Sequence, residues 1–206
     1  MTRTRKTRNQ RSEAASPSIA GSNVDAPSIG DRIRFMRKQR GMTLDQLAET
    51  ASLTKSYLSK IERGISVPSI ATALKVAGSF EMSVGQLLGE EQSDESLCVV
   101  RRSERKPFMR EGSASGYNYE MVAAPKRFKT MEPFIMRPPF EFEIDQFFEH
   151  VGEEFIFVLS GTIQFELPNR QVVLKAGDAI YFDSHLPHRS RSLGKKLAEA
   201  LVMVAK

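Results

Sequence analysis

The 206-residue sequence predicts two domains of opposite class, an all-α domain of five helices followed by an all-β barrel or sandwich. Apolar residues recur at helical spacing from residue 29 to residue 89. The acidic, polar stretch GEEQSDES then interrupts the pattern. Behind it come short runs rich in β-branched and aromatic residues, separated by Gly, Pro and Asn, and so many short strands at close spacing indicate a closed or double-layered sheet.

The elements follow in order. Residues 1–28 are rich in Arg, Ser and Thr with almost no large apolar side chains, which predicts a disordered basic tail. No apolar h-region marks it as a secretory signal. A solvated tail is the plain expectation; an arm resting on nucleic acid and an organelle transit peptide are the alternatives. Ile33 and Met36 anchor a first helix. TLDQLAETA gives a second, capped by Thr43, with Leu44, Leu47, Ala48 and Ala51 on one face. TKSYLSKIERG gives a third, ended by Gly64. PSIATALKVAGSF is a fourth with Ser69 as cap, and SVGQLL a short fifth. Residues 90–97 form the linker, and 98–206 the β domain. Strands are expected at 98–101, 117–123, 133–137, 141–147, 155–159, 162–167, 171–175, 179–182 and 197–204. The last could be a helix by propensity, but its closing LVMV suits a sheet edge that finishes a barrel.

Charge narrows the partners. Residues 1–28, 29–89 and 90–206 carry net charges of +3, +4 and −2, so a polyanion would be met by the first ninety residues. Apolar runs such as 155–159 and 200–205 are far below the ~18 residues that span a bilayer, which argues against a membrane protein. The single cysteine, Cys98, has no internal disulfide partner and fits a reducing cytosol as a small apolar strand residue.

On the third predicted helix, Lys55, Ser56, Ser59, Lys60 and Arg63 form one outward stripe in which every member donates hydrogen bonds and none is acidic. Such a stripe suits phosphates and the acceptor edges of bases; a solvated face usually mixes both signs of charge. The order of residues adds to this. Arg37, Gly41, Thr43, Leu47-Ala48 and YLSKIERG followed by PS closely resemble the helix-turn-helix domain of phage-repressor-like (Xre-type, lambda-repressor-like) regulators over about sixty residues. The resemblance implies that the third helix enters the major groove, where Thr54, Lys55, Ser56, Ser59 and Lys60 would meet bases or backbone. Thr43 and Arg63 complete the DNA-facing set. It also implies a structural ion pair between Arg37 and Glu62. Ser52 departs from the glycine common in the turn, at a position where a positive φ is expected.

All three histidines, His150, His185 and His188, fall within 39 residues of the β region. Two imidazoles and a carboxylate make a facial set for a divalent metal. The spacing is similar to that of the cupin family from about residue 133 to 204. His150, Glu154 and Gly161 match the first motif except at Phe148, which stands where the family carries a further histidine. Gly177, Asp178 and His188 match the second, with Asp183 in place of a common proline and Ser192 in place of a common asparagine. The cupin barrel so implied, a double-stranded β-helix, would bring His150, Glu154 and His188 together. Two possibilities stay open there: a divalent metal ion held by the three, or a small polar effector held by the same residues without metal. His185 is expected on an exposed loop.

An Xre-type head joined to one cupin resembles bacterial transcription regulators in which the cupin is a sensor and dimerisation module. That implies double-stranded DNA with a near-palindromic operator as partner, a homodimer, a small-molecule effector, a cytoplasmic location and no catalytic residues. The alternative is a cupin metalloenzyme, a non-haem iron epoxidase-like protein with a helix-turn-helix-like accessory domain; the intact donor stripe argues against it.

Overall fold

Hydroxyl side chains start each of the five helices. Ser28, Thr43, Thr54, Ser69 and Ser83 cap α1 (Ile29–Gln39), α2 (Leu44–Thr50), α3 (Lys55–Glu62), α4 (Ile70–Ser79) and α5 (Val84–Leu87). Each accepts a hydrogen bond from the backbone N–H three residues on, which satisfies one of the orphan donors at a helix start and contributes about 1 kcal/mol. Asp31, Gln46 and Gln86 reach back to close capping boxes. The structure, a computed structural model, describes residues 27–108, 116–142 and 145–205. The tail expected to be disordered therefore lies, up to residue 26, outside the described residues.

Leu47, Ala48 and Ala51 of the second helix and its turn pack on Leu58 and Ile61 of α3, with Ile33, Val76 and Phe80 closing the core. The turn between α2 and α3 passes through Ser52 at φ +52°. A residue with a Cβ is strained there by roughly 1–2 kcal/mol, a cost the surrounding packing absorbs. Gly64, at φ +69°, ends α3 without that cost.

The β region forms two antiparallel sheets. Their strands are β1 (Lys106–Pro107), β2 (Asn118–Met121), β3 (Met131–Arg137), β4 (Glu153–Ser160), β5 (Thr162–Leu167), β6 (Arg170–Lys175), β7 (Ala179–Asp183), β8 (Arg189–Leu193) and β9 (Glu199–Ala205). The large sheet runs β1-β2-β3-β9-β4-β7 and the small one β6-β5-β8. Between them lie Phe134, Met136, Ile156, Val158, Ile163, Phe165, Phe182 and Val202. This is a five-helix domain followed by a β-rich, cupin-like domain.

The strand register also defines the opposite face of the large sheet. Pro133, Met203, Phe155 and Tyr181 align in one row, and Ile135, Leu201, Phe157 and Ala179 in the next. Tyr181 is 62% exposed and Phe157 36%.

Three strand expectations need correction, and two strands, β1 and β8, were not expected. Residues 98–101 are not a strand: Leu97 and Val99 are exposed, so that segment has no sheet to bury it, and a single 3-10 turn follows at Arg102–Glu104. Cys98 is partly buried as a free thiol, outside any strand. The described part of 141–147 is not a strand either. Its aromatic side chains instead cover the outer face of the small sheet, with Phe142 and Phe147 stacked on the Arg189 guanidinium at 4.0 and 4.4 Å. β9 is not an edge; it sits between β3 and β4, in the middle of the large sheet. β8, with the sequence RSRSL, escaped the apolar-run criterion because its buried positions are Ser190 and Ser192.

The two domains touch directly. The Glu132 carboxylate, 2% exposed and paired to Lys129 at 2.8 Å, accepts from the backbone N–H of Val84 at the start of α5. Beside it Gly85 lies so close to the barrel that a Cβ there would sit 2.7 Å from the Ala124 carbonyl oxygen. The linker is tied down as well: Ser93 N–H donates to the Pro125 carbonyl at 2.7 Å, and the Gln92 amide donates to the Ala124 carbonyl at 3.0 Å. Among the described residues no helix is long and apolar enough to cross a membrane.

Candidate functional site

Two surfaces carry the chemistry. On the helical domain, burial of Leu58, Ile61 and Glu62 turns the other face of α3 to solvent. Thr54, Lys55, Ser56, Lys60 and Arg63 are exposed on it, and Ser59 is half-buried. Thr43, at the start of α2, is exposed too. Thr43 and Thr54 use their hydroxyl oxygens to accept from Gln46 and Tyr57 N–H groups, which leaves each hydroxyl proton to donate. An acid does stand beside the stripe: Lys55 Nζ is 2.8 Å from Asp45 of α2. Both partners are largely exposed, so the pair contributes little and a phosphate can displace it.

Under this surface Arg37 and Glu62 form a buried fork. Nε reaches Oε1 at 2.7 Å, the second contact is 2.8 Å to Oε2, and the remaining nitrogen donates to the Met42 carbonyl at 2.9 Å. The hydrogen bond to Glu62 pushes the Arg37 pKa up despite burial. The pair ties α1 to the C-terminal end of α3 and so fixes how α3 is presented.

The second surface is a cavity inside the barrel. β4 carries Glu154, the loop before it His150, and the loop before β8 His188; all three are buried. His150 Nε2 stands 3.0 Å and His188 Nε2 3.6 Å from Glu154 Oε2. The other ring nitrogens are occupied by backbone: His188 Nδ1 meets the Leu186 carbonyl at 2.8 Å and His150 Nδ1 the Val151 carbonyl at 3.3 Å. That arrangement turns both Nε2 atoms inward. The possible ligand atoms of the three residues lie within 4.8 Å of one another. Burial lowers the His188 pKa, opposed by the Glu154 charge, which favours the neutral imidazole that a metal needs. The donor set therefore fits one divalent ion, which when bound would offer open coordination positions to a small ligand.

Phe148 also lines this cavity, bridged through its backbone to His188 and set edge-on to Tyr117 at 5.8 Å. The Tyr117 hydroxyl donates to the Ser190 carbonyl and accepts from its N–H, both at 2.6 Å, pinning the start of β2 to β8. His185 is exposed and is not among the three clustered groups. Sequence reasoning missed the rest of the wall. Tyr117 and Tyr119 look like ordinary strand residues, and Ser69, Ile70 and Leu74 of the helical domain close the cavity from above. No spacing rule reaches across two domains.

Comparison with known proteins agrees with this architecture. The helix-turn-helix family matches residues 33–87 and the cupin domain family residues 138–204. The HTH-type transcriptional regulator SinR of Bacillus licheniformis is 42% identical over 89 residues, which are 43% of this chain and 79% of that protein. The HTH-type transcriptional regulator PuuR of Escherichia coli (strain K12) is 26% identical over 167 residues, 77% of this chain and 84% of PuuR. The chain spans 44% of the length of the immunity repressor protein of Bacillus phage phi105, which it matches over 64 residues. The crystal structure of an HTH_3 family transcriptional regulator from Vibrio cholerae superposes with a TM-score of 0.60 at 26% identity, covering 86% of this chain and 94% of that one. The chain belongs to the Xre-type helix-turn-helix transcriptional regulators that carry a C-terminal cupin domain.

Proposed function

We propose that this protein is a sequence-specific DNA-binding regulator that acts in the cytosol. It binds a near-palindromic operator as a homodimer, and a small molecule in the cupin domain changes its operator affinity. The observation that carries the proposal is the outward face of α3: exposed Thr54, Lys55, Ser56, Lys60 and Arg63, with Ser59 beside them, on a scaffold braced by the Arg37–Glu62 pair. Lys and Arg there would neutralise phosphates, and the hydroxyls would meet base edges or backbone.

One α3 reads only a half-site, so a dimer is needed to read a palindrome. The apolar rows on the outer face of the large sheet, Tyr181, Phe155 and Met203 above Phe157 and Leu201, are suited to a second copy related by a two-fold axis. His150, Glu154 and His188 form the effector pocket, with a divalent ion as the group their donor set fits. That same cluster is the single observation favouring a metalloenzyme. Against it, a catalyst gains nothing from an exposed donor face on α3, and the homologues named above are regulators.

The test is genome-wide mapping of bound DNA, followed by titration of the recovered operator with wild type and Lys60→Ala. The variant should bind more weakly and discriminate less between operator and scrambled duplex; equal binding of every sequence by both proteins would show that α3 is not the reading face. Iron-loaded protein that steadily consumed oxygen with a small organic substrate would favour the enzyme instead.

A further inference from the structure

We infer that α4 is the lid of the cupin pocket, so that an organic effector binds between the two domains and its entry is coupled to DNA reading through α4. The inference rests on the proposal that the pocket receives an effector, and it names where and how.

Size comes first. The cavity over His150, Glu154 and His188 measures about 30 Å³. That is room for an ion or a water and not for an organic molecule, whose sites run to ~300 Å³ or more. Its ceiling is made by Ser69, Ile70, Ala71 and Leu74, the cap and first turns of α4. Next to it lies an open cleft of about 480 Å³ between the helical domain and the barrel. Cavity and cleft share three lining residues, His150, Leu74 and Val204. A ligand-sized space therefore lies just outside the present ceiling, and Leu74 stands where the two spaces meet.

The rim of the cleft is polar: Thr50, Ser52, Lys75 and Ser79 from the helical domain, Glu149 and His185 from the barrel. Where it meets the inner cavity it is lined by buried Leu74 and Val204, while Val151 adds an exposed apolar side chain to the rim. This suits a small amphiphilic molecule whose apolar body points inward and whose polar end stays at the rim. Such a ligand touches the residues on either side of α3: Ser52 in the turn that precedes it and Lys75 in the helix that follows it.

The joint between the domains is unevenly fastened. α5 is fixed by Glu132 and by the absence of space at Gly85, whereas α4 meets the barrel over a void. Displacing the first turns of α4 pivots the helical domain about α5 and re-aims α3. A ligand that favours the displaced arrangement shifts DNA affinity, and by reciprocity DNA shifts access to the pocket.

Access can be measured without knowing the effector. In EDTA-treated full-length protein, diethylpyrocarbonate acylates accessible imidazoles, and mass spectrometry follows each histidine separately. His185 is exposed and serves as the internal reference; His150 and His188 are 6% and 8% exposed and should react slowly. Leu74→Ala should speed acylation of His150 and His188 by about fivefold or more with His185 unchanged, because local opening then needs less. Ile70→Ala, at a partly buried ceiling position, provides a second variant should Leu74→Ala unfold, as circular dichroism would report. Saturating wild type with its operator duplex should change the His188 rate by at least about threefold with His185 unmoved. Unchanged His150 and His188 rates in a folded lid variant would overturn the lid; a lid effect with no operator effect would overturn the coupling. Failure to bind any operator would instead strike the regulatory function, while the lid variants would still decide the gate.

Discussion

Phe148 and His188 face each other across an isolated antiparallel bridge, each backbone N–H donating to the other's carbonyl at 2.9 Å. Both side chains also line the cavity that holds His150 and Glu154. An apolar ring thus occupies a wall position from which a fourth ligand could reach the metal set.

Phe148→His should therefore complete a four-ligand site. We expect Co²⁺ affinity to rise by roughly tenfold or more, since even changes one shell removed from a metal move affinity on that scale. Competition with a chromophoric chelator, with wild type measured alongside, checks this. No gain in affinity would show that the ring position faces away from the ion.

Acidification should act through His188. Its folded pKa is lowered, chiefly by burial, from the ordinary 6.5, so the neutral ligand form persists to a lower pH than in an exposed histidine. Below the ordinary value the unfolded chain takes up the proton before the folded one does, so stability falls with pH until the folded pKa is passed. Urea midpoints of metal-free protein measured from about pH 7.5 down to about pH 5 should decline, and less so in His188→Gln. A profile identical in the two proteins would exclude His188 as a source of the slope.

Arg37→Met removes the partner of a buried carboxylate. The helical domain should lose about 3–5 kcal/mol of stability, because Glu62 is left desolvated and unpaired. The double variant Arg37→Met, Glu62→Met should recover most of that loss, which separates the cost of an orphaned charge from the worth of the pair. Thermal unfolding of the three proteins measures both.

Phe157→Asp places a charge among the outward apolar rows of the large sheet. Light scattering should report a dimer for wild type and a monomer for the variant. The variant should still bind a half-site but lose the tighter binding of a full palindrome. A wild-type monomer, or a variant dimer, would move the interface elsewhere.

How much of this was legible in the sequence depends on whether the signal was local. The caps Thr43 and Ser69 were, because each acts on the residue three positions away. The strained turn was too, since Ser52 takes the positive φ that its position demands. His150, Glu154 and His188 were found because ligand chemistry restricts residue type. β8 was not, because Ser190 and Ser192 are buried by hydrogen bonding to Tyr117, the Pro138 carbonyl and the Ala198 N–H, which hydropathy does not register. The segment 141–147 misled for the opposite reason: its described residues Glu141, Phe142 and Asp145 cover Arg189 and Arg191 and do not pair with a strand. The ceiling formed by Ile70 and Leu74 needs both domains in place before it exists at all.

The contact of Gly85 with Ala124 bears on modularity. Heads of this type and barrels of this type each look like interchangeable cassettes, yet here the seam has no room even for a methyl group. Grafting this head onto a foreign barrel would require a matching hollow at that spot. A chimera lacking it would fold as two tethered halves, able to grip DNA and to take up a ligand but deaf to any exchange between them.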